Sequence, residues 1–354
     1  MTSLPPNDRP SVDAVLERTL KENDIPPRPL IIDRISAAMR QDEPNLKHVG
    51  QLISADVSLA AGLIKTANSP YFGLQNRARS VHEALMMLGL DVTSRAVAAI
   101  SLRRAFPDSG HYERFWDASA RIAALSGWLA QRVQKPKLRP DDAYTFGLFR
   151  DCGIVIMLRR FPAYRQTLAR ANQSADYPFT GIEQQDFPTD HTMLGCLLAQ
   201  NWWLPEEICL AIRHHHDQLA IDLFESGLPL ASRYLVAVSQ TAEHILQHLT
   251  GASQTMEWEK LGASCRRLLN LDEADLAELY AEAAILLGTI DPRNRSCFLG
   301  HSTQRRREIA LRRGKARKQL HPTGEGGRRL SLAEHSLRPS IFPPCLCVEL
   351  LFLG

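Results

Sequence analysis

Two short stretches of this 354-residue chain carry side chains that could bind a metal ion. The first is GLFRDCG at residues 147–153, and the second is RHHHD at residues 213–217. Imidazoles and carboxylates are the donors with which metal hydrolases hold the ions that activate water. Position 150, where a histidine would complete such a donor set, holds an arginine. Two interpretations of the sequence are therefore possible: a working metal hydrolase, or a protein that has the fold of such an enzyme without its metal chemistry.

The spacing of apolar residues predicts an all-α fold that carries these stretches on helices. Apolar residues recur every three or four positions over residues 46–67, which is the spacing of one buried helix face. Asp56 is suited to cap the second half of that region, and Ser80 with Glu83 forms a capping-box pattern at the start of a helix that ends at Gly89. Further helical patterns cover Asp91–Ala105, Tyr112–Val133, Asp141–Arg160, His191–Trp202, Glu206–His214, Ser232–Leu249 and Glu257–Leu287. Since no segment alternates for long with a period of two, the pattern excludes a sheet protein.

By composition the chain divides into a lead, a folded body and a tail. Residues 1–24 are polar and proline-rich, with one short predicted helix at Ser11–Asn23. The IPPRPL stretch at residues 25–30 predicts extended backbone, since proline disfavours helix in the residue before it. The body extends over residues 25–290. Residues 291–354 are rich in arginine and glycine without a sustained apolar face, which predicts a disordered basic tail.

The net charge of +3 is unevenly distributed. Residues 292–354 contain thirteen Lys or Arg and four Asp or Glu, a balance of +9 that leaves about −6 for residues 1–291. Because an acidic body is a poor partner for a phosphate backbone, any nucleic-acid binding would belong to the tail. The 7 cysteines form no CxxC pair, and no apolar run approaches the roughly 20 residues of a membrane span. We therefore expect a reduced, cytoplasmic protein with no membrane segment.

Several ordered motifs resemble the HDOD domain, a bacterial relative of the HD-type metal phosphohydrolases. In the first half they are Asn68-Ser69, Phe72-Gly73 and Leu88-Gly89. In the second half they are FWDASARIA, GLFRDCGIVIM and DHTMLGCLLAQNWWLPEEICLAIRHHHD. The resemblance runs from about residue 25 to residue 217. It implies a two-lobed helical bundle, with one lobe at about 25–108 and an HD-like lobe at about 111–290.

The resemblance also assigns the metal-ligand positions of the HD enzymes to residues of this chain. In chain order they fall on Ala118, Arg150, Asp151, His191, His215 or His216, and Glu243. Ala118 has no donor atom, and the guanidinium of Arg150 stays protonated and repels a divalent ion at short range. We therefore expect a vestigial site with no metal, no cofactor and no catalysis. We also predict that Arg150 forms an ion pair with Asp151 or Glu243.

The histidines at 214–216 have two interpretations. Consecutive residues of a helix diverge by about 100°, so the three cannot all face one ion. We expect one of them to pack near His191 while the others are solvated. Helix capping at Asp190 competes with metal ligation as the reason for the placement of His191. Nearby, Trp202-Trp203 predicts a hydrophobic plug at a helix end, because no basic residue interleaves with it.

The functional hypothesis that the resemblance implies is a regulatory module that acts through contacts with other signalling proteins. Two alternatives stay open. One is a metal-dependent phosphohydrolase whose remodelled site uses Asp151, His191, His215 and Glu243. The other is nucleic-acid binding through the basic tail.

Overall fold

The computed structural model describes residues 18–41, 43–68, 77–106, 112–222 and 227–288. Within these ranges all regular secondary structure is helical, which confirms the predicted all-α fold. Residues 18–22 are helical, which agrees with the described part of the helix predicted over 11–23. The helices after them are α1 Leu30–Met39, α2 Leu46–Ser54, α3 Val57–Ala67, α4 Val81–Arg104, α5 Glu113–Val133, α6 Pro140–Phe149, α7 Cys152–Arg160, α8 Tyr164–Gln173, α9 Phe179–Asp186, α10 His191–Asn201, α11 Glu206–His214, α12 Gln218–Asp222, α13 Leu230–Thr250, α14 Glu257–Leu269 and α15 Glu273–Leu286.

Helices α1–α4 form a first lobe around an apolar cluster. Its buried side chains include Ile35, Val49, Ile53, Leu63, Leu85 and Val97. Each helix contributes one apolar stripe, as expected of amphipathic helices around a shared core. The sequence pattern did not predict α1, which begins directly after Pro29 at the end of the extended IPPRPL stretch. Proline restricts the residue before it and leaves the chain after it free to enter a helix.

Polar caps set the helix starts of this lobe. The Asp56 carboxylate accepts a hydrogen bond from the backbone N–H of Ser58 at 2.9 Å and so begins α3, as predicted for the second half of residues 46–67. The Ser80 hydroxyl accepts from the N–H of Glu83 at 3.1 Å and begins α4, which confirms the predicted capping pattern. Each cap satisfies an amide that the helix itself leaves unpaired.

Helix α4 consists of two helical stretches that meet at Gly89. The sequence pattern ends one helix at Gly89 and begins another at Asp91, and the non-helical backbone at Gly89 inside Val81–Arg104 agrees with this break. Gly89 marks the bend with a φ of 76°, which lies in the left-handed region that favours glycine. Met86 of this helix is exposed. Among the described residues α4 alone has the length and apolar character of a membrane span, and several of its residues belong to the core of the first lobe.

Helices α5–α15 form the second lobe, with α5 and α13 at its centre. Helix α5 packs along α6 and α13, and α13 also contacts α11 and α14. An ion pair between Arg95 of α4 and Asp142 of α6 connects the lobes. The short helices α8, α9 and α12 were not predicted, because none is long enough to show a sustained apolar repeat. The predicted helix over 257–287 is interrupted at Asn270, whose left-handed φ of 59° ends α14.

The segment before α1 is held against the end of α10. The indole N–H of Trp202 donates to the carbonyl oxygen of Pro26 at 3.3 Å, and Arg28 donates to the carbonyl oxygen of Asn201 at 2.5 Å. Trp202 is buried, as a helix-end plug should be, whereas Trp203 is 48% exposed. The Arg28 guanidinium lies 3.6 Å from the centre of the Trp203 ring, a cation–π contact. We call this set of contacts the lobe junction.

Some features of the sequence analysis lie outside the described residues. They are most of the lead at 1–24, the Phe72-Gly73 motif, the lobe boundary near 108–111 and the tail at 291–354. The predicted disorder of the tail and its nucleic-acid binding therefore stay predictions. The compact unit that contains the described helices ends at Leu287.

Candidate functional site

The break between α6 and α7 turns two adjacent side chains toward the interior. Helix α6 ends at Phe149, the N–H of Arg150 donates to the carbonyl oxygen of Phe146 at 2.8 Å, and Asp151 lies between the helices with φ −102° and ψ 10°. The sequence pattern predicted one helix over residues 141–160, and the prediction is wrong at this point. Since adjacent side chains of a continuous helix diverge by about 100°, the break lets both residues serve one site.

Gly153 lets α7 approach the start of α10. A Cβ atom on Gly153 would lie 1.9 Å from the carbonyl oxygen of His191, so only glycine fits there. This close approach places Asp151 beside His191, the first residue of α10. Asp190 caps α10 by accepting a hydrogen bond from the N–H of Met193 at 2.8 Å. Because Asp190 supplies the cap, the imidazole of His191 is left for the site.

Arg150 is buried and bridges two carboxylates, which confirms the predicted ion pair. It is 3% exposed. Its Nε donates to Asp151 Oδ2 at 2.9 Å, and its Nη2 donates to Glu243 Oε2 at 2.6 Å. Gln240 donates a further hydrogen bond to Glu243 at 3.0 Å. Ala118, on α5, offers no donor atom.

Arg150 affects its two partners differently. Burial would raise the pKa of Asp151, but the charge of Arg150 and the neighbouring imidazole of His215 hold that pKa well below its ordinary value. Burial raises the pKa of Glu243, and the charge of Arg150 offsets this only in part. Burial also works against the charged form of Arg150, yet Asp151 and Glu243 outweigh it and raise the arginine pKa. Of the two carboxylates, Asp151 is therefore the one that ionises more readily.

Three imidazoles converge on the other oxygen of Asp151. The Nε2 atom of His215 lies 3.2 Å from Asp151 Oδ1, and the Nε2 atom of His191 lies 3.9 Å from the same oxygen. The two Nε2 atoms are 3.4 Å apart. With His216 included, the cluster offers one ligand atom from each of four residues, and these atoms all lie within 4.8 Å of one another. The arrangement has the donor types and the compactness of a transition-metal site.

The expectation for residues 214–216 is wrong for His216. His215 and His216 are both buried, whereas the side chain of His214 is 37% exposed. Helix α11 ends at His214, His215 occupies its C-cap position, and His216 lies beyond the helix. The 100° divergence applies only inside a helix, so the chain is free to turn both buried rings toward His191.

Each imidazole of the cluster has an acceptor beside its Nδ1 atom. The pairs are Glu183 with His191 at 2.8 Å, the Ile212 carbonyl with His215 at 2.8 Å, and Glu257 with His216 at 2.5 Å. Because a carboxylate or a carbonyl can only accept, each Nδ1 carries the hydrogen and each neutral ring keeps a lone pair on Nε2. Tyr164 donates its hydroxyl to Glu183 and fixes that carboxylate in turn. Histidines that bind metals have outer partners of this kind.

Burial and charge act in opposite directions on two of these rings. Burial favours neutral His191, but Glu183 and Asp151 outweigh it and raise the pKa of His191. Burial lowers the pKa of His216 well below its ordinary value, and the neighbouring His215 and His191 add to this effect. A proton on the cluster is therefore held best by His191, while His216 stays neutral.

Sequence reasoning missed Glu183 and Glu257. Glu183 lies on α9, which the apolar pattern does not reveal, and Glu257 begins α14, 41 positions after His216. The available signal was chemical: a buried imidazole N–H needs an acceptor, so a buried histidine cluster implies unseen carboxylates or carbonyls. Cys152 is buried, and burial raises the pKa of its thiol, which disfavours the reactive thiolate.

The family comparison agrees with the resemblance in the motifs. The HDOD domain model matches residues 25–218, more than half of the chain. An uncharacterized protein of Treponema pallidum strain Nichols is 26% identical over 196 residues, or 55% of this chain and 38% of that protein. The YuxH protein of Bacillus subtilis strain 168, also uncharacterized, is 26% identical over 113 residues, or 31% of this chain and 27% of that protein. The chain therefore matches well under half of the length of these curated relatives.

Solved structures share the fold. A candidate phosphohydrolase from Shewanella amazonensis has a TM-score of 0.57 at 20% identity, covering 77% of this chain and 94% of that one. An HDOD domain protein of unknown function from Geobacter sulfurreducens has a TM-score of 0.50 at 22% identity, covering 77% and 97%. A candidate signal transduction protein from Marinobacter aquaeolei has a TM-score of 0.53 at 21% identity, covering 77% and 60%. At these identities the likeness establishes the fold alone.

Proposed function

The chain belongs to the HDOD domain family, and we propose that it is a non-catalytic regulatory module that acts through contacts with other proteins. The observation that carries the proposal is the buried bridge from Arg150 to Asp151 and Glu243. A hydrolase of the HD type needs metal where this bridge lies. A permanent cation that satisfies both carboxylates leaves them no role in binding a metal between them.

Two further observations support the regulatory part of the proposal. A structural neighbour is named as a candidate signal transduction protein, and this name suggests the same class of role here. The first lobe also exposes Leu30, Val57 and Met86, apolar side chains of the kind that protein interfaces bury. Partner contact through the first lobe would leave the polar interior of the second lobe undisturbed.

The alternative of a remodelled phosphohydrolase is favoured by one observation, the convergence of Asp151 with three histidines. It loses Glu243, one of its proposed ligands, because that carboxylate is bound by Arg150 at 2.6 Å. Without Glu243 the remaining donors surround one position and provide none for a second ion. A two-metal mechanism therefore has no second site in the described residues.

A hydrolysis assay separates the two functions. The full chain is incubated with bis(p-nitrophenyl) phosphate and Mn²⁺, Mg²⁺ or Zn²⁺ in turn, beside an Asp151→Ala variant. We expect the two proteins to release nitrophenolate at the same background rate. Turnover that depends on metal and disappears in the Asp151→Ala variant would establish the hydrolase instead.

A cross-linking experiment tests the partner contacts. Val57→Glu and Met86→Glu place charges on the first lobe, and Met193→Glu is the matched control because Met193 is an exposed methionine of the second lobe. We expect the cross-linked partners of the full chain in its host cell to be lost in the first two variants and kept in the control. An unchanged cross-linking pattern in all three would contradict a role for the first lobe.

A further inference from the structure

We propose that Asp151, His191, His215 and His216 together bind one divalent transition-metal ion of the zinc type. The inference goes beyond the proposed function, because a module without catalysis and an enzyme could each carry such an ion.

The lone pairs of the cluster need a cation among them. His191 and His215 each present an Nε2 lone pair, at 3.4 Å from one another, and Asp151 Oδ1 lies 3.2 Å from the second of these. Neutral rings would leave three electron-rich atoms facing each other with no hydrogen between them. A proton or a metal ion between these atoms would remove their repulsion. The two differ in which other side chains of the cluster they would involve.

The outer partners favour the metal. A proton shared by His191, His215 and Asp151 would make no use of His216, whose ring also supplies a ligand atom to the cluster and is held by Glu257. A metal ion uses all four donors at once. It also accounts for the placement of Glu183 beside His191 and of the Ile212 carbonyl beside His215, since such partners orient a ligating ring and make it a stronger donor.

Arg150 limits the site to one ion. Its guanidinium holds Asp151 Oδ2 and Glu243, so Asp151 can offer only Oδ1 to the histidines. The positive charge that a second metal would bring is already supplied by the arginine. The guanidinium of Arg150 therefore takes the place of a second metal ion, and the donors for one ion remain.

The donor set also selects the class of ion. Three imidazoles and one carboxylate suit Zn²⁺ and its neighbours in the first transition row, whereas Mg²⁺ and Ca²⁺ prefer sites built from oxygen. Four protein donors complete the tetrahedral shell that Zn²⁺ adopts in structural sites, with no position reserved for a reacting water. The ion would therefore connect the starts of α7 and α10 with the end of α11.

An open cavity of about 630 Å³ provides a route to the cluster. His216 lines this cavity together with Arg213, His214, Asp217 and Lys260. His216 belongs both to the cluster and to the wall of this cavity, so the cavity lies next to the proposed site.

The experiment measures metal binding, independently of any activity. Untagged full chain is stripped with a chelator, dialysed, and titrated with Zn²⁺ by calorimetry and with Co²⁺ by visible spectroscopy. We expect one equivalent of either ion, the strong visible absorption of tetrahedral Co²⁺, and a rise in Tm on Zn²⁺ addition, since an ion that binds only the folded state stabilises it. No uptake, or uptake of two equivalents, would overturn the proposal.

Adjacent histidines supply the matched pair of variants. His215→Ala should abolish stoichiometric binding, while His214→Ala should leave it unchanged because His214 is outside the cluster. Glu183→Gln keeps all four ligands and should weaken Zn²⁺ binding by roughly 10–100-fold, as loss of an outer partner does. Equal effects of the two histidine variants would assign the metal to the exposed HHH run and refute the site. Circular dichroism of each variant before titration separates loss of binding from loss of fold, and the Glu183→Gln result stands if His215→Ala does not fold.

Discussion

The two lobes differ in what they bury. The first lobe packs apolar side chains such as Ile53, Leu63 and Leu85, and its buried polar groups are the hydroxyls of Thr93 and Ser101. The second lobe buries charged and ionisable groups at its centre, namely Arg150, Glu183, Asp190, His191, His215, His216, Arg233, Glu243 and Glu257. Buried ions are costly unless fully paired, and apolar residues of similar volume are often at least as stable. Packing of apolar side chains therefore accounts for the interior of the first lobe, whereas the buried ionisable groups of the second lobe are what a functional site requires.

The largest expected effect concerns the charged interior. Arg150→Ala leaves Asp151 and Glu243 buried without their cation, and it should lower the free energy of unfolding by about 3–5 kcal/mol. Arg132→Ala is the control, because Arg132 pairs with Glu282 at an exposed position and should cost less than about 1 kcal/mol. Urea unfolding in the presence of a chelator measures both. Equal losses would mean that the buried bridge is no more important than a surface pair.

Next in size is a cavity in the apolar lobe. Leu63 is fully buried, and Leu63→Ala should lower the free energy of unfolding by about 3 kcal/mol through lost packing. Val57→Ala, at an exposed position, should change it by less than about 0.5 kcal/mol. Zn²⁺ stoichiometry should be unaffected by either change. A change in Zn²⁺ uptake in Leu63→Ala would contradict the conclusion that the apolar core of the first lobe is independent of the site in the second lobe.

A smaller effect is expected at a polar cap of the first lobe. Asp56→Ala removes the cap of α3 and should cost about 1 kcal/mol at neutral pH. A hydrogen bond from Arg104 and bonds from the amides of α3 lower the pKa of Asp56 from 3.8. The stabilisation is therefore present above this value and is lost as the pH falls through the lower pKa of the folded state. Urea unfolding at several pH values should show the wild type and the variant converging in acid, and a constant difference would contradict the assignment.

The smallest effect tests the lobe junction. Trp203→Ala removes the cation–π contact with Arg28 at a half-exposed position and should cost about 0.5 kcal/mol. Trp203→Phe retains an aromatic face, so its free energy of unfolding should lie between those of the wild type and Trp203→Ala. The same urea titration resolves the difference as a shift in midpoint. A loss of several kcal/mol would show that the junction, and not the two cores, limits stability.

Helices with long apolar repeats and clear caps could be predicted from the sequence, as α3, α10 and α11 show. The short helices α8 and α9 could not, because a few turns give no sustained period. The pairing of Arg150 was predicted from the resemblance, which assigns Arg150, Asp151 and Glu243 to one site, and from charge, since a buried guanidinium must find a carboxylate. The position of His216 was predicted wrongly although the pattern ended the helix at His214, because the 100° divergence of helical residues was applied to His215 and His216, which lie beyond that end.

The tryptophan pair shows the same limit at the lobe junction. Trp202 was predicted to plug a helix end and does so. Trp203 was grouped with it because no basic residue is close in sequence, yet Arg28 and Arg40 lie over its ring at 3.6 and 5.0 Å. Contacts between residues so far apart along the chain leave no local signal, and they emerge only when the lobes are packed together.

Asp151 gives one oxygen to Arg150 and the other to the histidines, and this division has a thermodynamic consequence. Two cations that share a carboxylate are linked, and linkage is reciprocal: whatever one gains or loses from the presence of the other is matched in return. A partner that shifted α13 would move Glu243 and so change how strongly Arg150 interacts with Asp151. The affinity of the cluster for a cation would then change, although the partner contacts none of its ligands. Conversely, an ion on the histidines would alter how firmly α13 is held. Through the side chain of Asp151, the occupancy of the histidine cluster and the position of α13 would therefore affect each other.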